Sequence, residues 1–109
     1  DHDYGRNRSV FVPFFAVEQA ATTTGTEIFA SHKNSATIPT KLKRLPGSQG
    51  YEIEFLPELV DYPAADKETN ARRINAWVEQ AVEDNMEQYM WVHRRFKTRP
   101  DPDAPSLYK

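Results

Sequence analysis

The run Val10-Phe11-Val12 restricts what this chain can fold into more than any other stretch. Three β-forming apolar residues in a row leave no polar face. The strand they predict, near 9–13, therefore belongs in the middle of a sheet with cover on both sides. Pro13 cannot donate to a ladder and is expected to end the strand. Immediately upstream stands Asp1-His2-Asp3-Tyr4-Gly5, polar and turn-prone, with Gly5 free to take a positive φ. A charged loop thus runs straight into the most buried element, an arrangement that commonly holds reactive or ligand-binding groups.

The stretch 1–9 carries Asp1, His2, Asp3, Arg6 and Arg8. It reads in two ways. It is a solvated turn, or it is a polar site whose carboxylates orient a catalytic base or a ligand while the arginines face an anion. Asp1 and Asp3 alone offer fewer ligands than a divalent cation usually needs, so no metal site is expected.

Beyond Pro13, Ala20, Ala21, Thr24, Gly25 and Ile28 recur at three- and four-residue spacing. This predicts a helix near 18–32, whose small side chains let it lie tight against a sheet. The threonines and Gly25 are poor helix formers, so close approach is their expected use. A strand near 36–44 follows, with Ile38, Thr40 and Leu42 on one face and Lys41 and Lys43 on the other. Strand, helix, strand in this order implies a right-handed parallel crossover. Pro39 points to an edge or a bulge. Leu45 to Gly50 is a turn, and the strand near 51–56 alternates, with Tyr51, Ile53 and Phe55 inward and Glu52 and Glu54 outward. Pairing the glutamates with Lys41 and Lys43 contributes roughly 0.2–1 kcal/mol per pair and favours one register.

After a linker at 57–65, Asp66 is expected to cap a helix near 67–85 that packs on the sheet through Ile74, Trp77, Val78, Ala81 and Val82. Asn85 is its expected left-handed stop. The fold class is therefore α/β, a small mixed sheet packed by two helices, with a body at 1–99 and a proline-rich tail at 100–109. Ahead of that tail, Arg94, Arg95, Lys97 and Arg99 are interleaved with Phe96 and follow Trp91. They are a solvated end, or they are cations that the aromatics aim at a phosphate or carboxylate.

Composition removes several classes. A net charge of −2 argues against a general nucleic-acid binder. The absence of Cys excludes disulfides and thiolate metal sites. No apolar run approaches the roughly 20 residues of a membrane span, and nothing resembles a signal peptide. At 109 residues and 39% hydrophobic, the chain is lean for a self-sufficient core. With Asp as its first residue and a buried-type strand so near the start, it is expected to be a piece of a longer protein.

Three separated stretches resemble one family. They are Asp1-His2-Asp3-Tyr4-Gly5; Val10 to Phe15 with Ala20-Ala21-Thr22-Thr23-Thr24-Gly25; and Glu87-Gln88-Tyr89-Met90-Trp91 running into His93 to Pro100. The family is the bacterial lipid A biosynthesis late acyltransferases, most closely the lauroyl or palmitoleoyl transferases. The resemblance implies the C-terminal part of a glycerolipid-acyltransferase-like fold. It also implies an enzyme at the cytoplasmic face of the bacterial inner membrane, held there through an N-terminal part. That enzyme would move a fatty acyl chain, laurate by the nearest likeness, from acyl carrier protein to a Kdo-bearing lipid A precursor, with no cofactor. The wider family uses a His followed five residues later by an acid, the His acting as general base. Here Asn7, Thr37 and Thr98 stand five residues after His2, His32 and His93, so the pair is absent and the piece alone is expected to be inactive. By motif, Asp1 and Asp3 fall in the acidic loop beside the catalytic pocket. Arg6, Arg8, Arg94, Arg95, Lys97 and Arg99 are the expected substrate-binding cations. The competing readings are a non-catalytic module that binds an anionic lipid or a protein through the C-terminal basic segment, and a metal-dependent transferase using Asp1 and Asp3.

Overall fold

The computed structural model describes residues 3–108. The strand β1 (Ser9–Phe14) turns at Phe15 and Ala16 into β2 (Val17–Thr23), and the two pair antiparallel. The expected helix near 18–32 is thus a strand followed by a short helix α1 (Gly25–Ala30). The reason lies in the threonines: β-branched side chains favour the pleated surface, and Ala20 and Ala21 fit opposite Val12 and Phe11 as well as they would fit a helix stripe. Pro13 does not end β1. The register shifts between Val12 and Phe14, so the residue without an N–H sits in a bulge where no ladder bond is needed.

The rest of the chain forms β3 (Thr40–Arg44), β4 (Tyr51–Phe55) and the long helix α2 (Lys67–Glu83). The β3–β4 pair is a second, separate antiparallel hairpin, not a continuation of the first sheet. One mixed sheet with a parallel crossover is therefore replaced by two hairpins, and β1 is paired along one edge only. The expected register holds, with Lys41 opposite Glu54 and Lys43 opposite Glu52.

Which face is covered differs from the expectation. Tyr51, Ile53 and Phe55 are 67%, 58% and 74% exposed. The hairpin is tied to the C-terminal end of α2 through β3. Lys41 pairs with the Asp84 carboxylate, and the Gln88 side chain bonds both the N–H (2.8 Å) and the carbonyl (3.0 Å) of Arg44. These bonds use the outer edge of β3, so β4 becomes the outer strand. Its apolar face meets no other layer among the described residues.

The helix α2 packs against β1 and forms the main core with it. Val12, Phe14, Ala20, Ala21, Ala71 and Val82 are its buried apolar residues. Asp66 caps the helix as expected, accepting from the Thr69 amide at 2.9 Å. The far end stops without a left-handed residue: Asp84 is the C-cap at φ −66°, and Asn85 lies at φ −148°. The radius of gyration is 15.3 Å, against about 13 Å for a compact domain of this length. The extents of 47 × 41 × 19 Å describe a slab. A slab this thin leaves much apolar surface outside any core.

Candidate functional site

Two segments far apart in sequence meet beside β1. The Asp3 carboxylate, 9% exposed, accepts the Gly5 amide (2.9 Å) and the Thr98 hydroxyl (2.8 Å) on Oδ1 and the Thr98 amide (3.1 Å) on Oδ2. Gly5 takes φ +84°, and this lets the loop curl so that its own N–H reaches Asp3. The loop continues into a 3-10 turn at Arg6–Arg8. There Arg6 donates from Nε to the carbonyls of Arg99 (3.2 Å) and Pro100 (3.0 Å), and from Nη2 to Arg99 again (2.9 Å). The acidic loop and the basic segment therefore form one clasp, which the sequence did not join.

Beneath the clasp lies a buried polar node. Arg95 is 4% exposed, and its guanidinium donates to the Ala21 carbonyl and to Thr22 Oγ1 (3.3 Å) while lying 5.0 Å over the Phe14 ring. Burial pushes this guanidinium below its usual pKa, opposed by Tyr89, Asp3 and Tyr108. Thr22 Oγ1 also accepts Asn75 Nδ2 (2.9 Å) and donates to Ala20 O (3.1 Å), which uses the full capacity of a hydroxyl. Asn75 Nδ2 reaches Pro13 O as well (2.8 Å), and Glu79 Oε1 accepts the Phe15 amide (2.7 Å). The bulge, the turn, α2 and the C-terminal segment are locked together by these bonds.

The other candidate cations face outward. Arg8, Arg94 and Lys97 are exposed, with Arg94 5.8 Å over the Tyr108 ring. Tyr108 in turn accepts the Phe96 amide at 2.8 Å, so the tail folds back on the body. Arg99 is partly buried, and its Nε is enclosed without a hydrogen-bond partner. Asp1 lies outside the described residues. No group of three or more His, Asp or Glu that could hold a metal occurs among those described.

Residues 1–98 match the family model described as bacterial lipid A biosynthesis acyltransferase. This chain belongs to that family. Among its relatives, the Lipid A biosynthesis lauroyltransferase of Escherichia coli strain K12 is 50% identical over 108 residues. The Lipid A biosynthesis acyltransferase of Haemophilus influenzae is 46% identical over 109 residues. The Lipid A biosynthesis palmitoleoyltransferase of the same Escherichia coli strain is 42% identical over 108. Each match takes in 99% of this chain but 35% of the relative, so the chain spans about a third of the length of the curated relatives it matches. No solved structure matches it.

Within the described part of this lipid A acyltransferase family member, no helix is long and apolar enough to cross a membrane. Of the residues that build the node, Arg95 is one of the expected substrate-binding cations but turns inward, whereas Asn75 is not singled out by the sequence, although a signal is present. Asn75 stands four residues after Ala71 and three before Val78, so a polar amide interrupts the apolar stripe of α2. A polar residue on a buried face needs a partner, and here that partner is the bulge carbonyl of Pro13.

Proposed function

We propose that this chain is part of an acyltransferase that moves a fatty acyl chain, laurate by the nearest likeness, from acyl carrier protein to a hydroxyacyl group of a Kdo-bearing lipid A precursor. The observation that carries the reading is 50% identity, across 99% of the chain, to a protein named a lipid A biosynthesis lauroyltransferase. The reaction would take place at the cytoplasmic face of the bacterial inner membrane, with membrane attachment supplied by protein outside these residues.

In this reading the clasp sets the edge of the site. Asp3 fixes the acidic loop against Thr98, and Asp1 stands two residues upstream of that anchor. The cations Arg6, Arg8, Arg94, Lys97 and Arg99 gather on the two clasped segments, where they would meet phosphates and acidic sugars of the acceptor, or the acidic surface of acyl carrier protein. Arg95 acts one layer below, holding β2 in place for them. The general base comes from elsewhere in the protein, because none of His2, His32 and His93 is followed five residues later by an acid. The test is acyl transfer from lauroyl acyl carrier protein to a Kdo-bearing precursor. The full-length protein should turn over while residues 1–109 alone give only background. Transfer by residues 1–109 alone would refute the division of labour, and no transfer by the full-length protein would refute the activity.

A further inference from the structure

The β3–β4 hairpin carries apolar side chains on one face and most of its charges on the other. Leu42 stands opposite Ile53, Thr40 opposite Phe55 and Arg44 opposite Tyr51. Leu42 is 63% exposed, and Tyr51, Ile53 and Phe55 are exposed beside it. Together they present on the order of 400 Å² of apolar surface, the range in which a patch marks an interaction site. The surface does not stop at β3. Thr40 and Leu42 share a valley of about 190 Å³ with Val78, Ala81, Val82 and Tyr89, so the sheet face runs on into the half-buried stripe of α2.

Three occupants fit this surface poorly. The valley is smaller than the roughly 300–1,000 Å³ of small-molecule sites. A bilayer surface favours elements rich in Lys and Arg. Here Arg44 is the one cation on the apolar face, and the opposite face sets Lys41 and Lys43 against Glu52, Glu54 and Asp84. A second copy meets two obstacles. Antiparallel pairing of two β4 strands about Ile53 would put Glu52 opposite Glu54 of the other copy, and like charges so placed repel. Stacking two such faces would bury roughly 800 Å² in total, below the roughly 1,200–2,000 Å² of stable interfaces.

The remaining occupant is the protein's own chain outside these residues. Each relative is covered to 35% by the match, which leaves about two-thirds of its length to be placed. A strand added at the β4 edge would satisfy free amides yet leave the face bare, so the cover is a layer. The first hairpin shows its form, since β1 and β2 are packed by the helix α2. Strands of five residues, as β3 and β4 are, span about 17 Å, the length of about 11 residues of helix.

We propose that the apolar face of β3–β4, with the valley beside α2, seats an amphipathic helix from the part of the same protein outside residues 1–109. Its apolar residues, at three- and four-residue spacing, face Leu42, Ile53 and Phe55. This interface lies beyond the acyl-transfer reading, and neither readout below uses that activity.

The test uses the full-length protein with p-benzoylphenylalanine in place of Phe55, irradiated, digested and read by mass spectrometry. The expected adduct forms at monomer mass and joins position 55 to a segment outside residues 1–109 that shows the helical spacing. An adduct to phospholipid, to a second copy or to a segment within 1–109 overturns the proposal, and so does the lack of any adduct. Packing is read separately. Ile53→Ala in the full-length protein should lower the melting temperature by about 5 °C, because truncating a covered isoleucine leaves a cavity. Glu52→Ala, on the charged face of the same strand, should shift it by about 2 °C or less. Equal melting temperatures for the two variants would overturn the proposal even where an adduct forms.

Discussion

Exchanging Asp3 for Asn separates the structural role of this carboxylate from any chemical one. The shapes are nearly the same, so no cavity forms and β1 is untouched. The donor count is not the same. In the parent, Oδ1 accepts Gly5 N–H and the Thr98 hydroxyl, while Oδ2 accepts Thr98 N–H. An amide in that place presents one oxygen and one NH2 group. With its oxygen toward Gly5, the NH2 faces the Thr98 amide; flipped, it faces the Gly5 amide. Either way one backbone donor loses its acceptor and meets another donor. A charge-assisted bond contributes about 1.5–3 kcal/mol, so Asp3→Asn should loosen the clasp by about 2–3 kcal/mol. That corresponds to roughly 30- to 150-fold faster exchange of the Thr98 or Gly5 amide by local opening, with α2 amides unchanged. Hydrogen exchange resolved to single amides reads this directly. Thr98→Val is the companion variant, since it removes the hydroxyl donor and leaves the carboxylate in place. If acyl transfer falls in both variants in step with clasp opening, Asp3 positions the loop. Equal protection of Gly5 and Thr98 in Asp3→Asn and the parent would refute the reasoning.

Arg94→Gln should lower affinity for an anionic substrate and flatten its salt dependence while leaving stability within about 0.5 kcal/mol; Arg95→Gln should instead lower the melting temperature, because its donors hold Ala21 and Thr22. Equal melting temperatures for the two variants would sink that division. The Asp66 carboxyl is held at about 2 by the Thr69 hydroxyl and then by the Thr69 amide. A lowered folded-state value means that its contribution is complete above the unfolded value of about 4 and is lost as the pH falls through 2. Exchange at Thr69 measured across that window should rise before the rest of α2 frays, and a flat profile would count against the cap. On the outer hairpin, Ile53→Lys with Phe55→Lys should reduce self-association of residues 1–109 in sedimentation, with little change in stability. Unchanged association would show that this face is not the sticky one.

What was legible in the sequence was local. The cap at Asp66, the helix α2 and the register that sets Lys41 opposite Glu54 and Lys43 opposite Glu52 all depend on neighbours within one element or one hairpin, and all are present. Of the stripe expected on α2, Val82 is buried while Ile74, Trp77, Val78 and Ala81 are half-buried, and the salt bridge of Lys41 goes to Asp84. The stretch 17–23 was misread because Ala20 and Ala21 satisfy helix and strand spacing alike, and only pairing with Phe11 and Val12 decides between them. The outward face of β4 escaped for another reason. Alternation reveals that a strand has an apolar face, not that a layer is available to cover it. The candidate site was half legible: its charged residues were named, but nothing in their order says that Asp3 meets Thr98 or that Arg95 turns inward while Arg94 does not.

The bulge at Pro13 also limits how far β1 can recruit a further strand. Its edge away from β2 pairs with no strand among the described residues, and unpaired edges are where sheets grow, by proper docking or by aggregation. Pro13 has no N–H to give, and the shift in register there bends the backbone away from a regular ladder. Val12 is fully buried as well, so an incoming strand can pair in register only along Ser9 to Phe11, a length of about 10 Å at the usual rise. That is long enough to seat one short neighbour and too short to template an extended stack.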